Sequence, residues 1–269
     1  ADYFVEHGVG GGELNNEELI DMLRGKDYNV EKIQSHFVDE QFLEKNRESF
    51  FIISNFLGIK HHLREHLHDY DYVIYEHDHK YIKERDPATH FKFQAPPTSI
   101  VNYFFYKHAL AVLCQSTFHQ NILALNLNID NVINLSGNLW SLGSLEKMRD
   151  IARKPKKDRY SIMDSKINHK NTIGAISYCN DKKCEYELIQ DSNYFNFLEK
   201  LGSNKRFVFL PKTPETLSRV IVEARMMGNI ILTNGLVGAA EETWFQLKGE
   251  ELIDYMIGKE KTFYRLLKV

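Results

Sequence analysis

Short apolar runs alternate with helical patterns from one end of the chain to the other. Tyr3-Phe4-Val5 reads as a strand, followed by the glycine-rich turn Gly8–Gly12. From Glu13 to Leu23, apolar Leu14, Leu19, Ile20, Met22 and Leu23 recur at helical spacing among acids. Ser49–Ile53, Tyr72–Tyr75, Leu110–Leu113 and Val132-Ile133 read as buried strands, and Ile100–Ala109 as a helix after Pro96-Pro97. The second half repeats the alternation. Tyr160–Met163, Tyr186–Ile189, Arg206–Leu210 and Ile230–Leu232 are strands; Asn171–Cys179, Tyr194–Leu201, Thr216–Met227 and Glu250–Leu267 are helical. Strands alternating with helices predict an α/β fold with parallel sheets covered on both faces. The basic, proline-bearing run Arg153–Arg159 marks a composition shift. It predicts a domain at 1–145, a basic linker at 146–158 and a second domain at 159–269.

Composition narrows the class. The 269 residues carry 34 basic and 37 acidic side chains, a net charge of −3, and 43% hydrophobic residues. That is a folded globular composition, without the field that non-specific nucleic-acid binding requires. Three cysteines, Cys114, Cys179 and Cys184, do not suit a disulfide framework and fit a reducing compartment. No apolar run is long enough to span a bilayer, and the opening residues lack a basic n-region and a long h-region. The expectation is a cytoplasmic protein. The basic run offers a second use, attraction to anionic lipid, which would place the protein peripherally at a membrane.

The most informative stretch runs from Phe209 to Gly228: a strand end, a turn with Pro211 and Pro214, then a helix. Thr213 is a fair N-cap with Pro214 at the first helical position. Glu215 then falls in the first turn, where backbone N–H groups at Thr216 and Leu217 can hold a phosphate. Glu223 follows eight residues on, about 12 Å along a helix. Two such carboxylates can accept hydrogen bonds from two sets of hydroxyls with a diphosphate between. Glu215-x7-Glu223, with Asn234–Glu242 downstream, resembles the retaining glycosyltransferases of the GT-B fold, family-4-like. The loop His7–Glu13, with Gly11 and Gly12, resembles the turn after the first strand of those enzymes. Its spacing departs from the dinucleotide fingerprint.

This resemblance implies two Rossmann-like domains with parallel sheets facing across a cleft, the first on the acceptor side and the second holding a nucleotide-sugar donor. It implies transfer of a sugar from a nucleotide-diphosphate donor to the hydroxyl of a glycan, a lipid-linked acceptor or another acceptor, with retention. Glu215 would contact the transferred sugar and Glu223 the ribose. Lys170, with Ser165, would meet the phosphates, beside Gly11, Gly12, Thr216 and Leu217. A histidine in the loop Tyr75–Lys80 would face sugar or acceptor. His77, nearest the strand end, is favoured over His79, with Asp78 and Glu13 as further acceptor-side candidates. No covalent nucleophile stands out, so front-face displacement assisted by the leaving phosphate is expected. No metal and no cofactor is expected, the nucleotide-sugar being a substrate.

Three rivals remain open. The first is a non-catalytic nucleotide-sugar-binding module or partner subunit. The second is a nucleotide-sugar epimerase. The third is a zinc hydrolase, because His62-Leu63-Arg64-Glu65-His66 matches an inverted zinc motif, although this stretch also reads as a solvated helix face. Cys114 and Cys179 read as buried small apolar residues, and Tyr103–Tyr106 and Trp140 as core.

Overall fold

The computed structural model describes residues 1–8 and 10–266. Val9 of the glycine turn and Leu267 of the last helix lie outside them. The chain divides into two compact units: unit 1 is Ala1–Ser136 with the chain end from Lys261, and unit 2 is Gly137–Glu260.

Unit 1 holds a four-stranded parallel sheet in the order β1 (Phe51–Ile53), β2 (Tyr72–Tyr75), β3 (Ala111–Cys114), β4 (Val132–Asn134). Strands β2 and β3 are buried along their whole length. That is why they read as continuous apolar runs rather than as alternations. Helices α1 (Gly11–Arg24), α2 (Glu40–Lys45), α3 (His61–His66), α4 (Tyr103–His108) and α5 (Thr117–Leu127) belong to this unit. Leu43, Phe56, Leu63, Tyr72, Ile74, Tyr106 and Leu123 meet in its core. Tyr3–Val5, expected as a strand, is irregular and enters a turn. Three residues supply too little pairing to fix a strand by propensity alone.

Unit 2 holds the second parallel sheet, in the order β6 (Tyr186–Ile189), β5 (Lys157–Met163), β7 (Asn204–Phe209), β8 (Ile230–Thr233). Its helices are α6 (Leu142–Arg153), α7 (Thr172–Asp181), α8 (Tyr194–Gly202), α9 (Arg219–Met226) and the start of α10 (Glu250–Leu266). The chain leaves β5 for β6, then crosses back to β7. The order therefore reverses between β5 and β7, the switch point where open α/β sheets commonly take ligands.

Residues 146–158, expected as a linker, form the body of α6 and the opening of β5. Leu145, Met148 and Ile151 recur every three residues and are buried in the core of unit 2. Charged residues between and after them are paired. Arg149 pairs with Asp254 at 2.9 Å, Lys154 with Glu199 at 2.8 Å, and Arg206 with Asp158. Lys156 is partly buried, which brings its ammonium down to about 8. A density of basic residues hid an amphipathic helix. No helix among the described residues is long and apolar enough to cross a membrane.

Candidate functional site

Two constellations sit at the carboxyl ends of the parallel strands, one in each unit. In unit 2, the loops after β5 and β7 are stitched together. The Lys212 N–H donates to the His169 carbonyl at 2.8 Å, and Asn171 Nδ2 donates to the Leu210 carbonyl at 2.7 Å. From one loop Lys170 reaches across to Glu215 on the other, with Nζ at 2.8 and 3.0 Å from its two carboxylate oxygens. The pair is mostly covered, the side chains being 25% and 14% exposed, so its attraction is screened less than at a free surface. It stands at the β5/β7 switch point. Nearby, the Ser165 N–H donates to Thr172 Oγ1 at 3.1 Å, and Ser165 Oγ accepts from the Ile167 N–H at 3.2 Å, which shapes the loop before Lys170.

Glu215 is not in a helix. Helix α9 begins at Arg219, so Thr213 is not its cap and Pro214 is not its first residue. Glu215 forms a parallel bridge with Val237: its N–H donates to the Leu236 carbonyl at 2.8 Å and its carbonyl accepts from the Gly238 N–H at 2.9 Å. The Ala239 N–H likewise donates to the carbonyl of buried Leu217. Pairing with Leu236–Ala239 extends the backbone where helical spacing predicted a first turn. The 12 Å helical separation of Glu215 and Glu223 therefore does not hold, and the helix start is not at Thr216, which is buried. Between them Ser218 adopts φ 72°, in the left-handed region, with its Oγ buried and without a hydrogen-bond partner. Such strain in a non-glycine residue persists only where its surroundings impose it.

Glu223 lies in α9 and is buried. Its Oε1 accepts from Tyr194 Oη at 2.6 Å, Arg219 Nε at 2.8 Å and Trp140 Nε1 at 3.0 Å. Arg219 also lies over the Trp140 ring, 4.5 Å from its centre. Lys170 and Glu215 are thus brought together, whereas Glu223 belongs to a separate buried network. Trp140, expected as core, is buried and also donates to that network.

In unit 1 the residues after β2 build a second constellation. Glu76 and Lys80 are fully buried and 2.6 Å apart; Lys80 also reaches Asp78 at 2.8 Å, and Arg85 pairs with Asp78 from outside. Tyr106 donates to the other Glu76 oxygen. Burial raises the Glu76 carboxyl despite Lys80. Burial alone would lower Lys80, but Glu76 and Asp78 outweigh it and hold the ammonium above its ordinary value. Asp78 also feels burial, yet Lys80 and Arg85 carry it well below the usual carboxylate range.

His77 lies within this frame. Gln115 Nε2 donates to Nδ1 at 2.5 Å, while Nε2 faces Asn16 Oδ1 at 2.9 Å. Gln115 Nε2 also faces the Glu76 carbonyl at 3.2 Å, which fixes the orientation of the amide. His77 therefore accepts at Nδ1 and donates at Nε2, the neutral form. Burial, then Lys80, lowers it to about 3. His79 is buried, its Nδ1 at 2.8 Å from Tyr81 Oη and its ring edge-on to that of His119. Gly11 and Gly12 open helix α1 behind Gly10, which has an extended backbone and no side-chain cap. Gly12 approaches the His77 ring, and Glu13 folds back towards Gly10.

The sequence reading missed Asn16, Gln115, Lys80 and Tyr106. The one available signal was Glu76 and Lys80 four apart, an arrangement that ordinarily marks a solvated face. No group of three or more His, Cys, Asp or Glu among the described residues is placed to hold a metal ion. His62 and His66 of the zinc-like motif pair with different carboxylates, Glu40 at 2.9 Å and Asp69 at 3.8 Å, and both are exposed. Cys114 and Cys179 are buried free thiols, and Cys184 is partly buried and free. Phe105 and Tyr106 are core as expected, whereas Phe104 is exposed.

No family model matches the chain, and no curated protein matches it. Among solved structures it is similar to a glycosyltransferase from Rickettsia africae ESF-5, at 13% identity over 92% of this chain and 78% of that one, with a TM-score of 0.47. It is similar to Anabaena Alr3699/HepE in complex with UDP and glucose, at 16% identity over 86% and 79%, TM-score 0.46. It is also similar to the pneumococcal O-GlcNAc transferase GtfA in complex with UDP and GlcNAc, at 11% identity over 84% and 52%, TM-score 0.45. With every TM-score under 0.5, these likenesses assign no activity, and the functional reading rests on the site.

Proposed function

We propose that this chain is a glycosyltransferase of the GT-B kind, moving a sugar from a nucleotide-diphosphate donor to an acceptor hydroxyl with retention. In this reading unit 2 takes the donor and unit 1 the acceptor. The observation that carries it is the Lys170–Glu215 pair, a cation and a carboxylate held together at the β5/β7 switch point. A nucleotide-sugar asks for that combination. Its diphosphate draws the ammonium, and its sugar hydroxyls donate to the carboxylate. As the glycosidic bond breaks, negative charge grows on the leaving diphosphate. A preplaced Lys170 stabilises that charge without reorganising. Strained Ser218, beside this loop, offers its hydroxyl to the same ligand. His77, fixed neutral, presents a ring to the acceptor side. Glu223 would meet the ribose with its Oε1 already held by Tyr194, Arg219 and Trp140. The reading calls on no metal or additional cofactor.

A second reading, a nucleotide-sugar-binding module without turnover, draws on the fact that both Glu215 oxygens are bonded to Lys170. One experiment separates the two. Nucleoside diphosphates and their sugars are screened by thermal shift and then assayed for release of free diphosphate. The transferase reading expects stabilisation by a diphosphate, loss of that stabilisation in Lys170→Ala, and retained binding with lost sugar release in Glu215→Gln. Binding by the unaltered protein without release from any donor sustains the module. Failure of every nucleotide to stabilise the protein sinks both.

A further inference from the structure

Unit 1 contains a cavity of about 650 Å³ beside β1, the edge strand of its sheet. It is lined by Leu19, Ile20 and Leu23 of α1, by β1, and by Val30 and Ile33 of the segment that follows α1. Three independent features give it a backbone-binding character. Phe51 turns its N–H to the Asp71 carbonyl of the β2 side, so by alternation Ile52 turns its N–H and carbonyl the other way, and Ile52 lines the cavity. Ala1, also in the lining, donates to the Ile33 carbonyl at 3.2 Å and accepts from the Ser35 N–H at 2.8 Å. Those are the two bonds of a parallel bridge with Gln34. Residues in strand register ahead of Ala1 would lie along Val30–Ile33, which border the cavity. Lastly, Asn16 is 3% exposed, lines the cavity, and its Nδ2 has no hydrogen-bond partner.

We propose that this cavity is the docking site for one extended, apolar polypeptide strand from outside the 269 residues, in register with Ala1 and parallel to β1. The strand completes a parallel sheet, satisfies the outward backbone of Ile52, and gives a carbonyl to Asn16 Nδ2. A compact apolar ligand would leave the Ile52 groups unanswered. A strand answers them with every second residue while its side chains fill the space against Leu19, Ile20 and Leu23. The site is independent of the transferase reading, because none of its expected effects needs a nucleotide.

The test joins a five-residue Val/Ile strand directly ahead of Ala1 and compares it with a Gly/Ser extension of equal length, following backbone hydrogen exchange residue by residue. The strand is expected to slow exchange of the Ile52 amide about tenfold or more relative to Gly/Ser and to raise the melting temperature. Ile20→Trp, which fills the cavity, is expected to abolish the difference while leaving the far-ultraviolet spectrum of the fold intact. Equal Ile52 exchange with the two extensions overturns the proposal, as does a difference that persists in Ile20→Trp.

Discussion

The pair Glu76–Lys80 holds a carboxylate and an ammonium together out of reach of water. Both side chains are fully buried and 2.6 Å apart, with Asp78 a further 2.8 Å from the ammonium. Replacing Lys80 by methionine keeps the stem but removes the one cation that, among the described residues, touches Glu76. An uncompensated buried carboxylate costs about 3–5 kcal/mol, a large part of the stability of an ordinary domain, about 5–15 kcal/mol. Burial already raises Glu76, and without Lys80 it rises further. An acid whose folded pKa lies above its unfolded value destabilises the fold where it is ionised. It ceases to do so once it takes up a proton. The defect of Lys80→Met is therefore expected to be greatest near neutral pH and to shrink on acidification. Adding Glu76→Gln should return much of the loss, since no buried carboxylate then lies beside Tyr106 without its cation. Urea unfolding of the wild type, the two single variants and the double variant at several pH values measures all of this. A loss below about 1 kcal/mol at neutral pH, the level of an exposed pair, would refute the reasoning, and so would a loss independent of pH.

Other outcomes follow from the same geometry. His77 is lowered from its ordinary 6.5 to about 3, so between these values the unfolded chain binds the extra proton and stability falls as pH drops. Over the first unit and a half the wild type should lose about 2 kcal/mol more than His77→Asn, as read from unfolding midpoints; parallel pH curves would contradict a ring held neutral. Met148→Ala should cost about 2–5 kcal/mol, because Met148 is fully buried in α6, whereas a linker residue would cost nothing in a denaturant titration. Tyr194→Phe should lose about 1.5–3 kcal/mol with its bond to Glu223; a neutral result would show that the network does not depend on that hydroxyl.

Alternation of strands and helices was legible because parallel sheets demand apolar runs: β2 and β3 carry them along their whole length, and β5 and β7 in their carboxyl-terminal halves. Helix α5 escaped the reading: Thr117–Leu127 has apolar residues on several sides and little segregation of polar ones. Helix α6 escaped it for the opposite reason, its charged face being so basic that it read as a linker. Pairing of Lys170 with Glu215 joins residues 45 apart through two loops, a distance no local period reports. Glu215 itself was placed on the wrong element. The pattern Thr213-Pro214-Glu215 is a good helix start, but bonds from Glu215 to Leu236 and Gly238 outcompete it. Tertiary pairing overrode a local propensity worth about 1 kcal/mol.

That override changes how the carboxylate can act. On a helix terminus, Glu215 would have shared its phosphate with free N–H groups, and the helix dipole would have carried part of the charge. On an extended segment tied to Leu236–Gly238, its backbone groups are already bonded and the local cation is Lys170. In the proposed transferase the two residues would act as one device, since a donor phosphate that draws Lys170 away also frees the Glu215 oxygens for a sugar hydroxyl. Binding of the phosphate and exposure of the carboxylate are coupled through a single pair of hydrogen bonds. The coupling predicts that Lys170→Ala and Glu215→Gln are non-additive in sugar release, because the second substitution removes a partner that the first has already released.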